Sequence, residues 1–348
     1  MTSIGAVGET NSSISVRGLW KVYGPKPERI VGSELADLPR KQLQTETGNV
    51  VAMRDIDMDV LPGEVFVVMG LSGSGKSTLI RCLTRLIEPT AGTVMIGDVD
   101  VTKAGKEKLL DVRRNRVSMV FQHFGLMPHR TLTDNVAFGL EVRGVDKVER
   151  RKHAEQALEL VGLSGMGTYR PHQLSGGQQQ RVGLARALAT DADILLFDEP
   201  FSALDPLIRR DMQDEIVRLR REVNKTMVFI THDLSEALRL GDRIAIMRDG
   251  RFVQVGTPET VVVEPADEYV ENFVRDVPRS FVVPVEHVMR DIDESAFAGT
   301  VTIGTKVRDI VKLVATSDLP VQVVDDSGRG IGCVDRVHVL ALIAGVEE

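Results

Sequence analysis

A glycine-rich run of nine residues carries the strongest chemical signal in this 348-residue sequence. It follows the apolar run Val65–Met69, matches the pattern G-x-x-x-x-G-K-[ST], and leads into a predicted helix over residues 76–86. Glycines let backbone N–H groups curve around phosphate oxygens, and a helix N-terminus adds a positive dipole. Lys76 can then reach the β- and γ-phosphates, and the Ser77 hydroxyl can be a ligand of Mg²⁺. This predicted phosphate loop comprises Gly70, Leu71, Ser72, Gly73, Ser74, Gly75, Lys76, Ser77 and Thr78.

Two acidic residues, Asp198 and Glu199, directly follow the apolar run 194–197. An acid at the carboxyl end of a parallel strand lies in the crevice where such sheets bind ligands. Asp198 is suited to hold Mg²⁺, and Glu199 to orient and polarise an attacking water. Taken alone, a plain strand end is the better interpretation. Beside a phosphate loop in the same chain, the catalytic interpretation is favoured.

A second glycine pair precedes a predicted helix over residues 179–189. Ser175 can cap that helix, and Gly176 and Gly177, followed by Gln178, expose backbone N–H groups at its N-terminus. The segment is a candidate second anion site. In isolation it is equally well explained as a flexible helix cap.

Short apolar runs that are typical of buried strands recur along the chain, at residues 65–69, 117–121, 194–197, 227–230 and 244–247. Helical patterns separate them. In residues 209–223, for example, Met212, Ile216, Leu219 and Val223 fall on one helical face. Apolar strands alternating with helices predict an α/β fold built on a parallel sheet.

The other segments suggest a domain organisation. Residues 1–13, rich in Gly, Ser and Thr, are expected to form a loose tail before a first strand at 14–22. Residues 24–49 are a polar insert with a short helix expected after Pro39, and about 125–175 is interpreted as an inserted helical subdomain. Beyond about residue 272 a small separate module is predicted. Its elements are a helix at 307–315, strands at 321–324 and 331–334, and a helix at 336–344.

Composition excludes several classes of protein. Lys and Arg number 43 and Asp and Glu 50, so the formal charge of −7 argues against a dedicated nucleic-acid binder. Two cysteines, Cys82 and Cys333, fit a reducing compartment. No stretch approaches the roughly 20 apolar residues that cross a bilayer, and residues 1–13 lack the features of a secretory signal. We expect a soluble, cytoplasmic protein whose membrane role, if any, comes through a partner.

The run LSGGQ at 174–178 ends 20 residues before Asp198 and resembles the signature of ABC-type ATPases. Together with the phosphate loop it is highly specific, and the resemblance extends from about residue 14 to 273. It implies a P-loop NTPase fold with a RecA-like core of the ABC type and an inserted helical subdomain. It also implies an ATPase that uses ATP and Mg²⁺.

Further positions match this family one by one. Gln122 resembles the glutamine that senses Mg²⁺ and the γ-phosphate, and His232 resembles the switch histidine at the γ-phosphate. Asp205 ends the run Ser202-Ala203-Leu204-Asp205, which resembles the loop that communicates across the dimer. Tyr23 stands where the family has an aromatic that stacks on adenine. Singly, His232 could be a local hydrogen-bonding residue and Tyr23 an edge-packing one.

The resemblance implies a head-to-tail dimer with two ATP molecules, each between the phosphate loop of one copy and Ser175 and Gly177 of the other. Fixed donors would then surround the charge that develops on the transferred phosphoryl group. The implied catalytic residues are Lys76, Gln122, Glu199 and His232, and the implied Mg²⁺ ligands are Ser77, Gln122 and Asp198. The implied ATP contacts are Tyr23, residues 70–78, Ser175, Gly176, Gly177, Gln178 and Asp205.

Two runs and the long insert at 24–49 resemble those of importers for glycine betaine, proline and related quaternary amines. The runs are FQHFGLMPH at 121–129 and ALDPLIR at 203–209. The resemblance implies separate integral membrane permease subunits, a solute-binding protein and a position on the cytoplasmic face of the plasma membrane. In this family the neighbourhood of residues 124–128 receives the coupling helix of the permease; a buried core segment is the alternative.

Residues 274–348 resemble about one copy of a CBS motif, where this subgroup usually has two. A single copy is consistent with partnership in trans, with the motif of another chain, or with a degenerate dimerisation surface.

Three competing functions stand beside the quaternary-amine importer. They are import of a different small polar solute, a non-transport ATPase that acts on chromosomes or ribosomes, and a catalytically inactive regulatory subunit. A gap of only about a hundred residues between Lys76 and Ser175, without sustained heptads, argues against the chromosome type. The presence of Lys76, Glu199 and His232 argues against an inactive subunit.

Overall fold

The computed structural model describes residues 13–122, 125–202, 204–223, 225–292 and 296–344. They fall into two compact units that divide between Val255 and Gly256. The domain boundary expected at 273/274 from the sequence stays a prediction. Residues 1–12 of the expected tail, His123 and Phe124 of the run 121–129, and Ala203 lie outside the described residues.

Ten strands and nine α-helices, besides short 3₁₀ and π-helical turns, form the regular structure of the described part of the first unit. The strands are β1 (Ile14–Tyr23), β2 (Val50–Val60), β3 (Val65–Met69), β4 (Ala91–Ile96), β5 (Val99–Asp100), β6 (Val117–Val120), β7 (Ile194–Asp198), β8 (Thr226–Thr231), β9 (Arg243–Arg248) and β10 (Arg251–Gly256). The helices are α1 (Arg40–Thr47), α2 (Lys76–Leu83), α3 (Lys106–Asp111), α4 (Leu132–Val136), α5 (Phe138–Val142), α6 (Lys147–Leu160), α7 (Gly176–Leu188), α8 (Pro206–Val223) and α9 (Leu234–Leu240).

The larger sheet has the strand order β10-β9-β3-β8-β7-β6, and all pairs from β9 to β6 are parallel. Strands β3, β7 and β8 are buried along their whole length, as expected for strands covered on both faces. The parallel sheet predicted from the alternating pattern is therefore confirmed. Because β3, β8, β7 and β6 are neighbours, their carboxyl ends meet at one edge, which is where the candidate site residues follow them.

A second, antiparallel sheet has the order β2-β1-β4-β5. Its buried side chains join those of the parallel sheet and of α2 in one hydrophobic core, which includes Val16, Val94, Leu79 and Val228. The sequence pattern predicts β1 and β2 but not β4, because Ala91–Ile96 begins with Ala and Gly and alternates only weakly in hydropathy. Pairing with β1 supplies the backbone partners that make this segment a strand.

Two helix boundaries differ from those predicted. Helix α2 ends at Leu83 rather than at residue 86, because Arg85 adopts a left-handed φ of 53° and donates to the carbonyls of Val101 and Ala104. Helix α7 begins at Gly176 rather than at residue 179, because the Ser175 cap starts the helix ahead of the glycine pair.

The second unit contains a small mixed sheet with helices. Its elements are α10 (Pro258–Val263), α11 (Glu268–Val274), β11 (Gly299–Thr302), α12 (Val307–Thr316), β12 (Val321–Val324), β13 (Gly330–Val334) and α13 (Arg336–Ala344). Strand β11 pairs parallel to β12, and β12 pairs antiparallel to β13. The predicted elements from residue 307 onward are confirmed to within about a residue at each end. Among the described residues, no helix is both long and apolar enough to span a lipid bilayer.

Candidate active site

The phosphate loop connects β3 to α2 by a turn in which two positions require glycine. Gly70 and Gly75 have φ values of 154° and 114°. A Cβ atom on Gly70 would lie 2.2 Å from the carbonyl oxygen of Met247, and one on Gly75 would lie 2.3 Å from that of Ala52. The loop therefore packs directly on the backbone of β9 and β2, and the glycine positions of the motif are sterically required.

Lys76 begins α2 and its ammonium group folds back into the loop. Its Nζ atom donates to the carbonyls of Gly70 (2.7 Å) and Leu71 (3.1 Å) and lies 3.8 Å from Oε1 of Glu199. The residue is only 4% exposed. Burial lowers the pKa of Lys76, and the negative charges of Glu199 and Asp198 oppose that shift. A buried cation enclosed by a glycine loop is a chemically suitable partner for phosphate oxygens.

Ser77 and Asp198 are brought together by the neighbouring ends of β3 and β7. The Ser77 hydroxyl donates to Oδ1 of Asp198 at 2.8 Å, and the Asp198 side chain is 2% exposed. Gln122, partly buried, follows β6 at the same sheet edge. Hydroxyl, carboxylate and amide oxygens are the ligands that Mg²⁺ prefers, so these residues fit a magnesium ion beside the phosphate loop.

Arg81 was not among the residues predicted from the sequence. Its Nη2 atom lies 3.2 Å from Oδ2 of Asp198, so both carboxylate oxygens have a partner. Arg81 stands four residues after Ser77 and therefore on the same face of α2. That i, i+4 spacing was the available signal.

Glu199 and His232 follow the adjacent strands β7 and β8 and meet across the crevice. Nδ1 of His232 lies 3.2 Å from Oε2 of Glu199, whose side chain is 18% exposed while that of His232 is 54% exposed. Glu199 has a left-handed φ of 47°, its N–H donates to the carbonyl of Ile230, and its carbonyl accepts from the Ser202 hydroxyl. This strained turn directs the carboxylate back over the phosphate loop, where it reaches Lys76.

The turn that carries His232 is held by a buried network. The Thr231 hydroxyl donates to Oε2 of Glu236 at 2.6 Å and accepts from the Asp233 N–H. Asp233 in turn caps α9 by accepting from the N–H groups of Ser235 and Glu236. Burial raises the pKa of Glu236 above its usual range. Glu236 was not predicted from the sequence, although it stands three residues after the Asp233 cap, a spacing typical of a helix start.

The LSGGQ segment forms the N-terminus of α7. Ser175 accepts from the N–H of Gln178, and the Gln178 side chain accepts from the N–H of Ser175, which is a complete capping box. Ser175 and Gly176 are exposed, whereas Gly177 is buried and a Cβ there would lie 2.2 Å from Cγ2 of Ile208. Helix α8 thus packs against α7 at a glycine and leaves the capped end accessible.

Two remaining predicted residues lie at element ends. Tyr23 closes β1 and is 42% exposed, and Nζ of Lys21 lies 4.8 Å from its ring centroid. Asp205 precedes α8 and accepts from the N–H of Ile208 at 3.1 Å, as a helix cap does. Their expected roles toward adenine and toward a second copy stay predictions.

Comparison with known proteins identifies the family. The family model described as "ABC transporter" matches residues 53–202. The glycine betaine transport ATP-binding protein OpuAA of Bacillus subtilis is 53% identical over 82% of this chain and 68% of its own length. The trimethylamine N-oxide transport system ATP-binding protein TmoW of Ruegeria pomeroyi is 45% identical over 95% of this chain and 96% of its own length. The glycine betaine/proline betaine transport system ATP-binding protein ProV of Escherichia coli is 47% identical over 88% of this chain and 76% of its own length.

Solved structures agree with this result. A dimeric structure of MJ0796, described as a bacterial ABC transporter cassette, is 32% identical with a TM-score of 0.59 and covers 70% of this chain and 98% of its own. The same cassette in a post-hydrolysis dimer bound to ADP and Pi matches equally well. This chain, with its phosphate loop, the acids after β7 and the capped α7, belongs to the ATP-binding subunits of ABC transporters. Its group includes the ATP-binding subunits of glycine betaine transport systems.

Proposed function

We propose that this chain binds and hydrolyses ATP with Mg²⁺ as a head-to-tail dimer and thereby drives the import of a quaternary amine or a related solute. One observation supports this most strongly. Lys76 and Ser77 from the phosphate loop, Asp198 and Glu199 after β7, and His232 after β8 form one connected cluster, with contacts of 2.8 to 3.8 Å. These groups are the ones that phosphoryl transfer to water requires.

In the proposed reaction the loop and Lys76 hold the β- and γ-phosphates through charge-assisted hydrogen bonds. Mg²⁺, held by Ser77, Asp198 and Gln122, would neutralise charge on the phosphate oxygens. Glu199 accepts a hydrogen bond from the attacking water and orients it toward the γ-phosphorus. His232, whose Nδ1 lies 3.2 Å from Oε2 of Glu199, supports this geometry. Positioning and fixed charges supply most of the acceleration in such reactions.

A second copy of the chain would complete the site. The capped N-terminus of α7 presents Ser175 and Gly176 to solvent, and its N–H groups and dipole favour an anion. The similar cassette MJ0796 is described as dimeric. We propose that Ser175 and Gly177 of one copy face the γ-phosphate held by the other.

A surface groove beside α5 is proposed to receive a cytoplasmic helix of a membrane permease. The cavity has a volume of about 290 Å³, and its apolar lining includes Leu86, Met119, Phe121, Phe138 and Val142. Leu86 is 52% exposed and Phe121 40%, although both are large apolar residues. Docking of an amphipathic helix would cover this surface and would hold the ATPase at the cytoplasmic face of the membrane.

The solute class is proposed from the relatives, whose names specify glycine betaine, proline betaine and trimethylamine N-oxide. These solutes share a compact methylated amine, which a solute-binding protein can enclose with aromatic side chains. The ATPase would not read the solute itself, since recognition belongs to the binding protein and permease.

Residues 274–348 are proposed to be a regulatory, CBS-like module of about one motif. Its element order from β11 to α13 is strand, helix, strand, strand, helix. Strands β11, β12 and β13 form a sheet of their own, in which β11 pairs parallel to β12 and β13 pairs antiparallel to it.

Uptake measurements test the transport proposal. Cells lacking this chain, and cells carrying the Lys76→Ala variant, should lose osmotically stimulated uptake of labelled glycine betaine, and the wild-type chain should restore it. The same strains should be compared for uptake of trimethylamine N-oxide and of an unrelated solute such as sulfate. Uptake of every quaternary amine unchanged by loss of the chain would contradict the assigned solute class.

A further inference from the structure

The polar insert between β1 and β2 has a core of its own. Ile30, Ala36 and Leu43 from the insert are buried against Trp20, Val22 and Val51 of the antiparallel sheet. Helix α1 ends at Thr47 and is capped by Gly48 in a left-handed conformation. An ion pair between Asp37 and Arg251 ties the same segment to β10. The insert is therefore a packed element beside the phosphate loop, and the proposed reaction assigns it no task.

Arg40, the first residue of α1, connects this insert to the phosphate loop. Its Nη1 atom donates to the carbonyl of Gly73 at 2.9 Å, and its Nη2 atom donates to the carbonyl of Val51 at 3.1 Å. One guanidinium group thus bridges the apex of the loop and the start of β2. A planar fork with two donors can make both contacts at once, which an ammonium group cannot do with the same geometry.

Other contacts show why that bridge matters. Within the described structure, the carbonyls of Gly70 and Leu71 accept from Lys76, and the carbonyl of Ser74 accepts from the N–H of Gly250. The carbonyl of Gly73 accepts from Arg40. Gly73 has a φ of 78° and no side chain, so its own residue type restrains the following peptide plane only weakly. Arg40 supplies that restraint from outside the motif.

We propose that the 24–49 insert is a structural part of the ATP site and that Arg40 is a positioning residue for the phosphate loop. The insert leaves the sheet directly after Tyr23, the expected adenine contact, and reaches the loop apex through Arg40. Fixing the peptide plane after Gly73 keeps the loop in the shape that receives phosphates before ATP arrives. The inference rests on the proposed ATP binding at residues 70–78.

Three variants test this role. Arg40→Ala removes both contacts, Arg40→Lys keeps the charge but not the fork, and Lys41→Ala removes one charge from the exposed neighbouring position of α1. Affinity for a fluorescent ATP analogue is measured in a Glu199→Gln background, so that turnover does not interfere, and KM and kcat are measured with Glu199 intact. We expect Kd and KM to rise about tenfold in Arg40→Ala and nearly as much in Arg40→Lys, with kcat changed less than about twofold. Lys41→Ala should match the parent.

The outcomes separate the alternatives. Full recovery of affinity in Arg40→Lys would show that charge alone acts, and it would overturn the positioning role. Unchanged affinity in both Arg40 variants would overturn it as well, whereas failure of the parent to bind ATP would overturn the proposed function instead. If Arg40→Ala does not fold, the affinity of Arg40→Lys for the ATP analogue decides alone. Loss of that affinity would support the positioning role, and full retention would overturn it.

A deletion tests the insert as a whole. Tyr23 pairs with Val50 in the antiparallel sheet, so removal of residues 25–48 leaves Gly24 and Asn49 as a two-residue hairpin turn. We expect this variant to lose at least as much ATP affinity as Arg40→Ala, with its fold checked by circular dichroism. A folded deletion variant that binds ATP as tightly as the parent would refute the inference.

Discussion

The imidazole Nδ1 of His232 lies 3.2 Å from Oε2 of Glu199, although 33 residues separate them in the chain. The contact exists because β7 and β8 are adjacent and parallel, so the residues that follow them share one edge. It joins a shielded carboxylate to an exposed imidazole at the mouth of the phosphate loop. Catalysis by this ABC ATPase is expected to depend on both groups.

Replacing Glu199 by Gln should preserve ATP binding and abolish most turnover. Gln cannot accept a proton from water, and loss of general-base help costs roughly 10²–10⁴-fold in kcat. ATP should then hold the variant as a dimer on a sizing column. Glu222, an exposed acid on α8, offers Glu222→Gln as a matched control. Near-normal phosphate release by Glu199→Gln would remove Glu199 from the base role.

Replacing His232 by Ala should lower kcat by about 10²-fold and leave KM for ATP nearly unchanged. The reason is that the imidazole acts beside Glu199 and contributes little to the loop that holds ATP. His153→Ala, at a half-exposed position on α6, should be silent. A large rise in KM with intact kcat would instead make His232 a binding residue.

Mixing two inactive variants tests the head-to-tail dimer. Ser175→Arg blocks the signature and Lys76→Ala disables the phosphate loop, so each homodimer should be inactive. A mixed dimer keeps one intact site, formed by Lys76 of one copy and Ser175 of the other. Equal mixing should restore about a quarter of wild-type ATPase activity, since half of the dimers are mixed. Absence of any recovery, with mixed dimers shown to form, would contradict this arrangement.

Stability should depend on pH through Glu236. Burial raises the pKa of this carboxyl above 4.5, so the folded protein holds the proton more tightly than the unfolded chain. Its stabilising contribution is complete below about pH 4.5 and is lost as pH rises through the raised pKa. Glu236→Gln does not titrate, so its Tm relative to wild type should increase from acidic to neutral pH. A Tm difference that is constant or decreases across that range would disagree with the burial argument.

Truncation after Val277 should leave basal ATPase activity intact. It removes β11, β12 and β13, which pair with one another, together with α12 and α13. We expect the response of activity to ionic strength or to nucleotide to change instead. Measurement of ATP affinity decides the point, because its loss on truncation would make the removed segment structural.

The sequence by itself determined the contiguous parts of this protein. The phosphate loop, the Ser175 cap and the apolar strands are local patterns, because glycine φ angles, helix capping and strand burial depend on nearby residues. The order of those patterns was enough to predict the α/β fold and the ABC family.

Contacts between distant segments were decided only by the tertiary structure. Arg40 reaches Gly73 and Arg81 reaches Asp198 through strand order and helix packing. Strand β4 likewise depends on pairing with β1 rather than on its own residue types. Hydrogen bonds act over about 3 Å, so they form only between chain segments that meet in space. The spacing of residues along the chain does not specify which distant segments meet.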